Sequence, residues 1–317
     1  MLQQTRVNTV IPYYLKWVEN YKSIKSVAES DSQTLLKLWE GLGYYSRCRN
    51  FHKACKIIVN DFSGEIPIDY QKFRLLPGVG DYTASAVFSI GLKQAYPALD
   101  GNVRRVMARV LRIKNFTKRN NNRIYNMLIK WMDRERPGDI NQALMDLANR
   151  ICRLDHALCN SCPIDQVCMA HNMSIPYSYP ARRKKKVMPH KEFVAGLIWK
   201  GNKFLITKRK EKELLGGLWE FPGEEIVSSE TPIRLLRRKI KEEWAIDVSV
   251  KKKVGYVKHA YSHFKITLTL YQCQAQGSIK TINKVYKWIT PSEIKFFPFP
   301  RSNHKLFNLL NSNGWYL

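Results

Sequence analysis

The sequence predicts a two-domain protein, all-α in its first half and α+β in its last, from three observations. Up to residue 151, apolar residues recur at helical spacing and only helices can be read. From Phe193 onward the texture changes to short runs rich in β-branched and aromatic residues. Between these halves, four of the seven cysteines fall within seventeen residues. A chain of 317 residues with 44% hydrophobic content is long and apolar enough for two ordinary cores.

Residues 1–21 read as a helix with Val10, Tyr13, Tyr14 and Trp17 on one face, and the chain starts inside it without a cap. Asp31 or Ser32 caps a short helix carrying Leu35, Leu36 and Trp39. Residues 41–47, Gly-Leu-Gly-Tyr-Tyr-Ser-Arg, set an aromatic pair between glycines and two arginines, Arg47 and Arg49. Aromatics beside cations can stack on bases and hold phosphates. The same residues also read as a packed tyrosine corner. A helix follows with Phe51, Ala54, Cys55 and Ile58 on its apolar face.

Residues 75–100 hold a tight turn of Pro77, Gly78 and Gly80, then a helix with Asp81 as N-cap and Ala84, Val87 and Phe88 at helical spacing. A glycine turn opening a helix presents backbone N–H groups to a phosphate oxygen. Asp100 stands just before the next helix. One stretch thus offers a phosphate grip and a carboxylate, and reads equally as a helical hairpin with a capping aspartate. In that next helix Val103, Val106, Met107, Val110 and Leu111 form the apolar stripe. Arg104, Arg105, Arg109 and Arg112 lie off it, next to the grip, and read as a DNA-contacting face. A further helix covers residues 140–152.

Cys152, Cys159, Cys162 and Cys168 form a ligand set rather than a disulfide framework. Zinc and an iron–sulfur cluster both fit the spacing. Cys48, Cys55 and Cys273 are scattered and read as buried small residues. Residues 171–191 form a basic linker containing the run Arg182, Arg183, Lys184, Lys185, Lys186. Strands are expected over 193–199, 203–209, 251–274 and 287–289, with one helix over 232–244. The net charge of +27 points to a polyanion: nucleic acid first, an anionic membrane surface second. No apolar run reaches transmembrane length, and the first residues lack signal-peptide order. A reducing, soluble compartment follows: the cytoplasm, or the nucleoid if the source is bacterial.

Taken together and in order, residues 1–5, 41–47, 76–80, 99–103 and 145–147 and the cysteine spacing resemble the adenine DNA glycosylases, which remove adenine mispaired with 8-oxoguanine. The resemblance spans essentially the whole chain. It implies a helix–hairpin–helix glycosylase domain over 1–151, a [4Fe–4S] cluster on the four cysteines in a loop over 152–170, and a Nudix-like domain over 192–317. Asp100 would be the carboxylate that stabilises the oxocarbenium-like sugar. Gly78, Val79 and Gly80 would anchor the DNA backbone through their amides, beside Tyr82. Gln4 and Tyr44 would fill or wedge the stack when adenine is flipped out. Tyr261, Ser262 and His263 match the loop that reads 8-oxoguanine, with Tyr261 where phenylalanine is usual. The implied partner is duplex DNA with an adenine opposite 8-oxoguanine or guanine, bound by a monomer. No membrane is involved.

Two positions separate this chain from close enzyme classes. Glycosylase/lyases of the endonuclease III type carry a Schiff-base lysine where Tyr82 stands, so a monofunctional glycosylase is implied. In the segment resembling a Nudix box, Lys239 replaces a metal-binding glutamate and Ala245 a glycine, which disfavours Mg²⁺ and hydrolysis. The family's proton-donating glutamate lies two residues before the Met-Leu-Gln-Gln-Thr motif, which here begins at Met1. A misassigned or truncated start is therefore expected. Taken literally, the chain would bind DNA and excise adenine very slowly. A lesion-binding homologue without catalysis and an endonuclease III-like lyase are the alternatives.

Overall fold

The computed structural model describes residues 1–181, 187–227, 230–280 and 284–314. The basic run Arg182–Lys186, read as part of a linker, lies outside them. Helices come first: α1 (Val7–Asn20), α2 (Ile24–Glu29), α3 (Ser32–Leu38), α4 (Tyr45–Asp61), α5 (Tyr70–Arg74), α6 (Asp81–Ala86), a π-helical turn (Val87–Gly91), α7 (Gly101–Val110), α8 (Lys118–Trp131), α9 (Pro137–Arg150) and α10 (Met169–Asn172). Then come β1 (His190–Lys200), β2 (Lys203–Lys208), β3 (Trp219–Glu220), β4 (Gly223–Glu225), α11 (Pro232–Trp244), β5 (Asp247–Ala260), β6 (Lys265–Gln276), β7 (Tyr286–Ile289) and α12 (Arg301–Ser312). The chain forms two compact units, Met1–Val59 with Lys186–Leu317, and Asn60–Lys185.

In the first unit a seven-stranded mixed sheet runs β3-β2-β1-β6-β5, with β4 on β1 and β7 on β2. Among the described residues, only the β1–β6 ladder is parallel. The period of two along β1 sends Val194 and Ile198 to one face and Ala195 and Leu197 to the other. The first face packs on Leu235, Leu236, Ile240 and Trp244 of α11, the second on Leu306, Phe307 and Leu310 of α12. The expected 251–274 strand is two strands, β5 and β6, with residues 261–264 as the connecting turn.

The opening helices belong to this unit because their core includes Leu218 alongside Leu35, Leu36, Trp39 and Cys48. Polar contacts reinforce it. Trp219 Nε1 donates to Gln33 Oε1 at 2.7 Å. Glu40 accepts from the Phe299 N–H at 2.7 Å, His304 Nε2 at 2.8 Å and Lys37 Nζ at 2.6 Å. The compact units therefore group the chain along different lines from its sequence segments.

Several sequence expectations need correction here. Residues 1–6 are not helical, and α1 starts at Val7 with no side-chain cap. The reason is Arg47, whose guanidinium takes the carbonyls of Met1 (2.8 Å) and Gln3 and the Thr5 hydroxyl (3.0 Å), folding the start into a turn. Tyr14 and Phe51 are exposed, off the faces assigned to them. Asp31, not Ser32, caps α3, accepting from the N–H groups of Gln33 and Thr34. The helix expected over 140–152 runs Pro137–Arg150.

In the second unit α7, α8 and α9 enclose a core of Val103, Val106, Met107, Ile124, Leu128 and Leu144, with Cys152, Cys162 and Cys168 packed against it. α9 approaches the π-helical turn so closely that a Cβ on Gly138 would lie 2.8 Å from the Ile90 Cα. Residues 171–181, read as linker, are held here: the Ala181 N–H donates to the Lys114 carbonyl at 2.9 Å, and Tyr179 is buried.

Candidate active site and nucleic-acid interface

Asp100 is the N-cap of α7. Its Oδ1 accepts the Val103 N–H at 2.6 Å and its Oδ2 the Asn102 amide at 3.1 Å. The segment leading to it is fixed by the fully buried Asn141, whose amide donates to Ser89 Oγ and the Tyr96 carbonyl and whose oxygen accepts the Ala98 N–H. Capping and chemistry are compatible, because both use carboxylate lone pairs and the cap fixes the group's direction. Tyr82, half-buried on α6, gives its hydroxyl to Met145 Sδ at 3.3 Å. Burial and the nearby Asp100 charge push its pKa up, so its phenol is neutral.

The arginine face of α7 is corrected by the structure. Arg105 donates to Asn102 Oδ1 (2.9 Å), the Ala148 carbonyl (2.9 Å) and the Cys152 carbonyl (3.0 Å). Arg109 is buried and reaches the carbonyls of Pro176, Arg153 and Leu154. Arg104 donates to Asn121 Oδ1 at 3.0 Å and Arg112 to the Tyr179 hydroxyl. These guanidiniums hold protein carbonyls and side chains rather than phosphates. Asn102 is the residue that sequence reasoning passed over, and Arg105 and Arg109 were assigned to DNA rather than to the support of this region. Their spacing, three then four on one helix face, was the available signal.

The turn at the start of α6 also differs from expectation. Gly78 has φ +80°, a left-handed value, and Gly80 is the N-cap, not Asp81. Glycine brings no side-chain acceptor, so it leaves the first amides of α6 uncapped. Asp81 instead pairs with Arg74. The Val79 N–H already donates to the Leu76 carbonyl at 3.0 Å. The amides of Gly78 and Gly80 have no acceptor among the described residues.

Cys152, Cys159, Cys162 and Cys168 line one cavity with Arg109 and His171. Arg109 donates to Cys152 Sγ at 3.2 Å, a bond that suits a thiolate ligand. Among the described residues no three or more His, Cys, Asp or Glu are set to hold a metal ion. The other three cysteines are buried, with thiol pKa values pushed up by burial, to about 11 for Cys55 and about 12 for Cys48 and Cys273.

In the first unit a second patch gathers the remaining residues. Tyr44, at φ +49°, is exposed, and its hydroxyl meets Ser262 Oγ at 3.0 Å. Arg47 stacks on the Tyr44 ring, 4.7 Å from its centroid, while holding the turn that carries Gln4. Arg49 donates to the Gly216 carbonyl. The reading of Arg47 and Arg49 as phosphate ligands is thus replaced by an internal role, because both guanidiniums are taken by protein carbonyls. Tyr45 is buried and accepts the Gly41 N–H at 2.9 Å: one tyrosine of the pair packs and the other is presented. Tyr261 turns inward, its hydroxyl on Ser302 at 3.1 Å, which satisfies the polar atom a phenylalanine would lack. Ser262 and His263 stay exposed.

Residues 1–132 match the HhH-GPD superfamily base excision DNA repair proteins, and residues 194–309 match the NUDIX domain. Adenine DNA glycosylase of Buchnera aphidicola (from Schizaphis graminum) is 33% identical over 84% of this chain and 76% of its own length. This chain belongs to the adenine DNA glycosylase family. The human adenine DNA glycosylase is 29% identical over 98% of this chain, which spans 66% of that relative's length. A solved thermostable thymine-DNA glycosylase shares the fold at TM-score 0.51 and 23% identity, covering 54% of this chain and 80% of its own. Membership in the family makes the helical part a DNA glycosylase fold and the last part Nudix-like.

In that Nudix-like part Lys239 is clasped by acids. Its ammonium lies 2.5 Å from Glu224 and 3.2 Å from Glu243, and Lys284 meets Glu243 at 2.9 Å. The other Glu243 oxygen, Oε2, is buried without a hydrogen-bond partner.

Proposed function

We propose that this chain hydrolyses the N-glycosidic bond of adenine opposite 8-oxoguanine or guanine in duplex DNA. It does so by flipping the adenine out of the stack and without a lyase step. The observation that carries this reading is Asp100, a carboxylate fixed by neutral N–H donors at the start of α7, with no cation bonded to it among the described residues. Such a carboxylate stays available to a sugar that develops positive charge. The Gly78 and Gly80 amides in the same unit would hold the phosphate backbone. Tyr82, a neutral phenol where lyases place an amine, supports hydrolysis rather than Schiff-base chemistry. Gln4, Tyr44, Ser262 and His263 would meet the opened stack and the opposing base, and the Tyr44–Ser262 contact supports a shared role.

Cys152, Cys159, Cys162 and Cys168 would hold a [4Fe–4S] cluster, which supplies structure or DNA sensing, because the hydrolysis needs no redox change. Their shared cavity and the Arg109–Cys152 bond support a thiolate set. Iron and sulfide analysis tests this: about four irons per chain supports the cluster, and zinc alone overturns it.

The activity is tested by single-turnover excision on a duplex with one adenine opposite 8-oxoguanine. Asp100→Asn keeps a capping acceptor and removes the charge. It should slow excision by about 10²–10³-fold or more. Equal rates would overturn the assignment. Tight lesion binding with excision by neither protein favours a lesion-binding protein, the reading that the Tyr44–Ser262 patch alone supports.

A further inference from the structure

We infer that the outer face of α8 is a sequence-independent contact for the phosphate backbone of duplex DNA, an inference that rests on the function proposed above. Between Asp100 and Asp133 the chain carries nine arginines and lysines and no acid. The structure divides them. The four arginines of the α7 region are bonded to protein groups. Lys118, Arg119, Arg123 and Lys130 of α8 have no ion pair and no side-chain hydrogen bond among the described residues. A positive face without internal counter-ions is where an external polyanion gains most from releasing its own counter-ions.

The face also has shape. Arg119, Asn122, Arg123, Asn126 and Lys130 line an open groove of about 420 Å³. From Arg119 to Lys130 is about 16 Å of helix, enough to meet more than one phosphate. Arginine and lysine only donate, and asparagine amides can donate beside them, which matches an acceptor-only phosphate row. The helix is tied to the hairpin region of its own unit. Burial and then the neighbouring Tyr70 and Tyr96 push the Tyr125 pKa up; those two rings stack at 4.2 Å, and the Tyr70 hydroxyl donates to the Asp81 carbonyl at 3.3 Å. Asp81 opens α6 directly after the glycine turn, so α8 sits beside the expected backbone grip.

The test uses the full chain carrying Arg119→Gln, Arg123→Gln and Lys130→Gln together, all exposed positions. Affinity for an undamaged duplex is followed across a salt series. The slope of log K against log salt should fall by about 2.7, about 0.9 for each lost phosphate contact. Arg123→Gln alone should lower it by about 0.9. A control that removes three exposed lysines from the other unit, Lys200→Gln, Lys203→Gln and Lys251→Gln, should leave the slope unchanged. An unchanged slope in the α8 variants overturns the inference, and so does an equal fall in the control, which would mean bulk charge alone. An unchanged DNA slope with lost binding to anionic vesicles would assign the face to a membrane and also overturn it. Wild-type excision fails independently: absent excision with the expected slope change sinks the activity and leaves the α8 contact standing.

Discussion

Two acidic centres, one in each compact unit, use the same side-chain chemistry to opposite ends. Asp100 is surrounded by neutral donors, a backbone N–H and an amide, which orient it without cancelling its charge. Glu224 and Glu243 are met by ammonium groups, Lys239 between them and Lys284 beyond. A carboxylate with amide donors still attracts a positive substrate. One that already holds a lysine has its field neutralised on site. Arg105 reaches Asp100 through an intermediary, since it bonds Asn102, whose amide bonds the carboxylate. What separates a carboxylate left open to a cationic group from one neutralised on site is therefore its donors, not its burial.

The comparison breaks first on excision rate. Asp100→Asn should cost about 10²–10³-fold, whereas Glu243→Gln, in the same assay, should change excision less than about twofold. Comparable losses would mean that the Nudix-like acids share in the chemistry.

Next in size is Arg105→Ala. It leaves the carbonyls of Ala148 and Cys152 without their donor and frees Asn102, a loss of about 2–4 kcal/mol by urea unfolding. Excision should fall as well, because Asn102 loses its anchor beside Asp100. Arg105→Lys should recover little of either, since one ammonium cannot replace a three-way fork. A variant as stable as wild type would remove Arg105 from the support of the site.

Lys239→Met probes the other centre. It leaves Glu224 without its ammonium and Glu243 with Lys284 alone, and should cost about 1–3 kcal/mol. The pH dependence sharpens this. Burial would raise the Glu224 pKa, but hydrogen bonds from Lys239 and from the Glu225 N–H outweigh it and hold the group below the ordinary carboxylate value. A depressed folded pKa contributes stability that is present above about pH 4.3 and lost as pH falls through the folded value. For Lys239, burial is outweighed by Glu224 and Glu243, and the pKa is raised. Its contribution is present below about pH 10.4 and lost as pH rises through the folded value. Wild type should therefore lose stability at both extremes, and Lys239→Met should show a flatter profile at each. Identical profiles would mean that the ion pairs contribute nothing measurable.

What the sequence could disclose was local. α11 was readable to the residue because its signals sit inside it: Pro232 at the first turn and an apolar period that ends at Trp244. The cysteine set and Asp100 before an amphipathic helix were likewise visible. The losses are tertiary. Nothing near residue 6 says that Arg47 will gather the carbonyls of residues 1 and 3 and keep the helix from starting there. Periodicity showed that the α7 arginines leave the apolar stripe. It could not show that carbonyls of residues 148–154 and 176 would be waiting for them. The turn between β5 and β6 lacks glycine and proline, so two strands read as one. The clasp on Lys239 needed an acid fifteen residues earlier in the chain to come within reach.

The smallest effect lies at the end of α11. Ala245 caps this helix at φ 53°, ψ 31°, a left-handed conformation that a Cβ opposes. Its N–H donates to the Lys241 carbonyl at 2.9 Å, so the geometry is held by the helix end. The side chain is exposed, so the methyl group buries little surface. Ala245→Gly removes the steric opposition but adds backbone freedom to the unfolded chain, and the two terms partly cancel. The strain term is the larger, so the variant should be more stable by about 0.5–1 kcal/mol in urea unfolding. Its excision rate and its acid profile should not move, because the residue touches neither centre. A loss of stability instead would mean that the left-handed cap is not strained in solution, and that α11 ends differently from the geometry described.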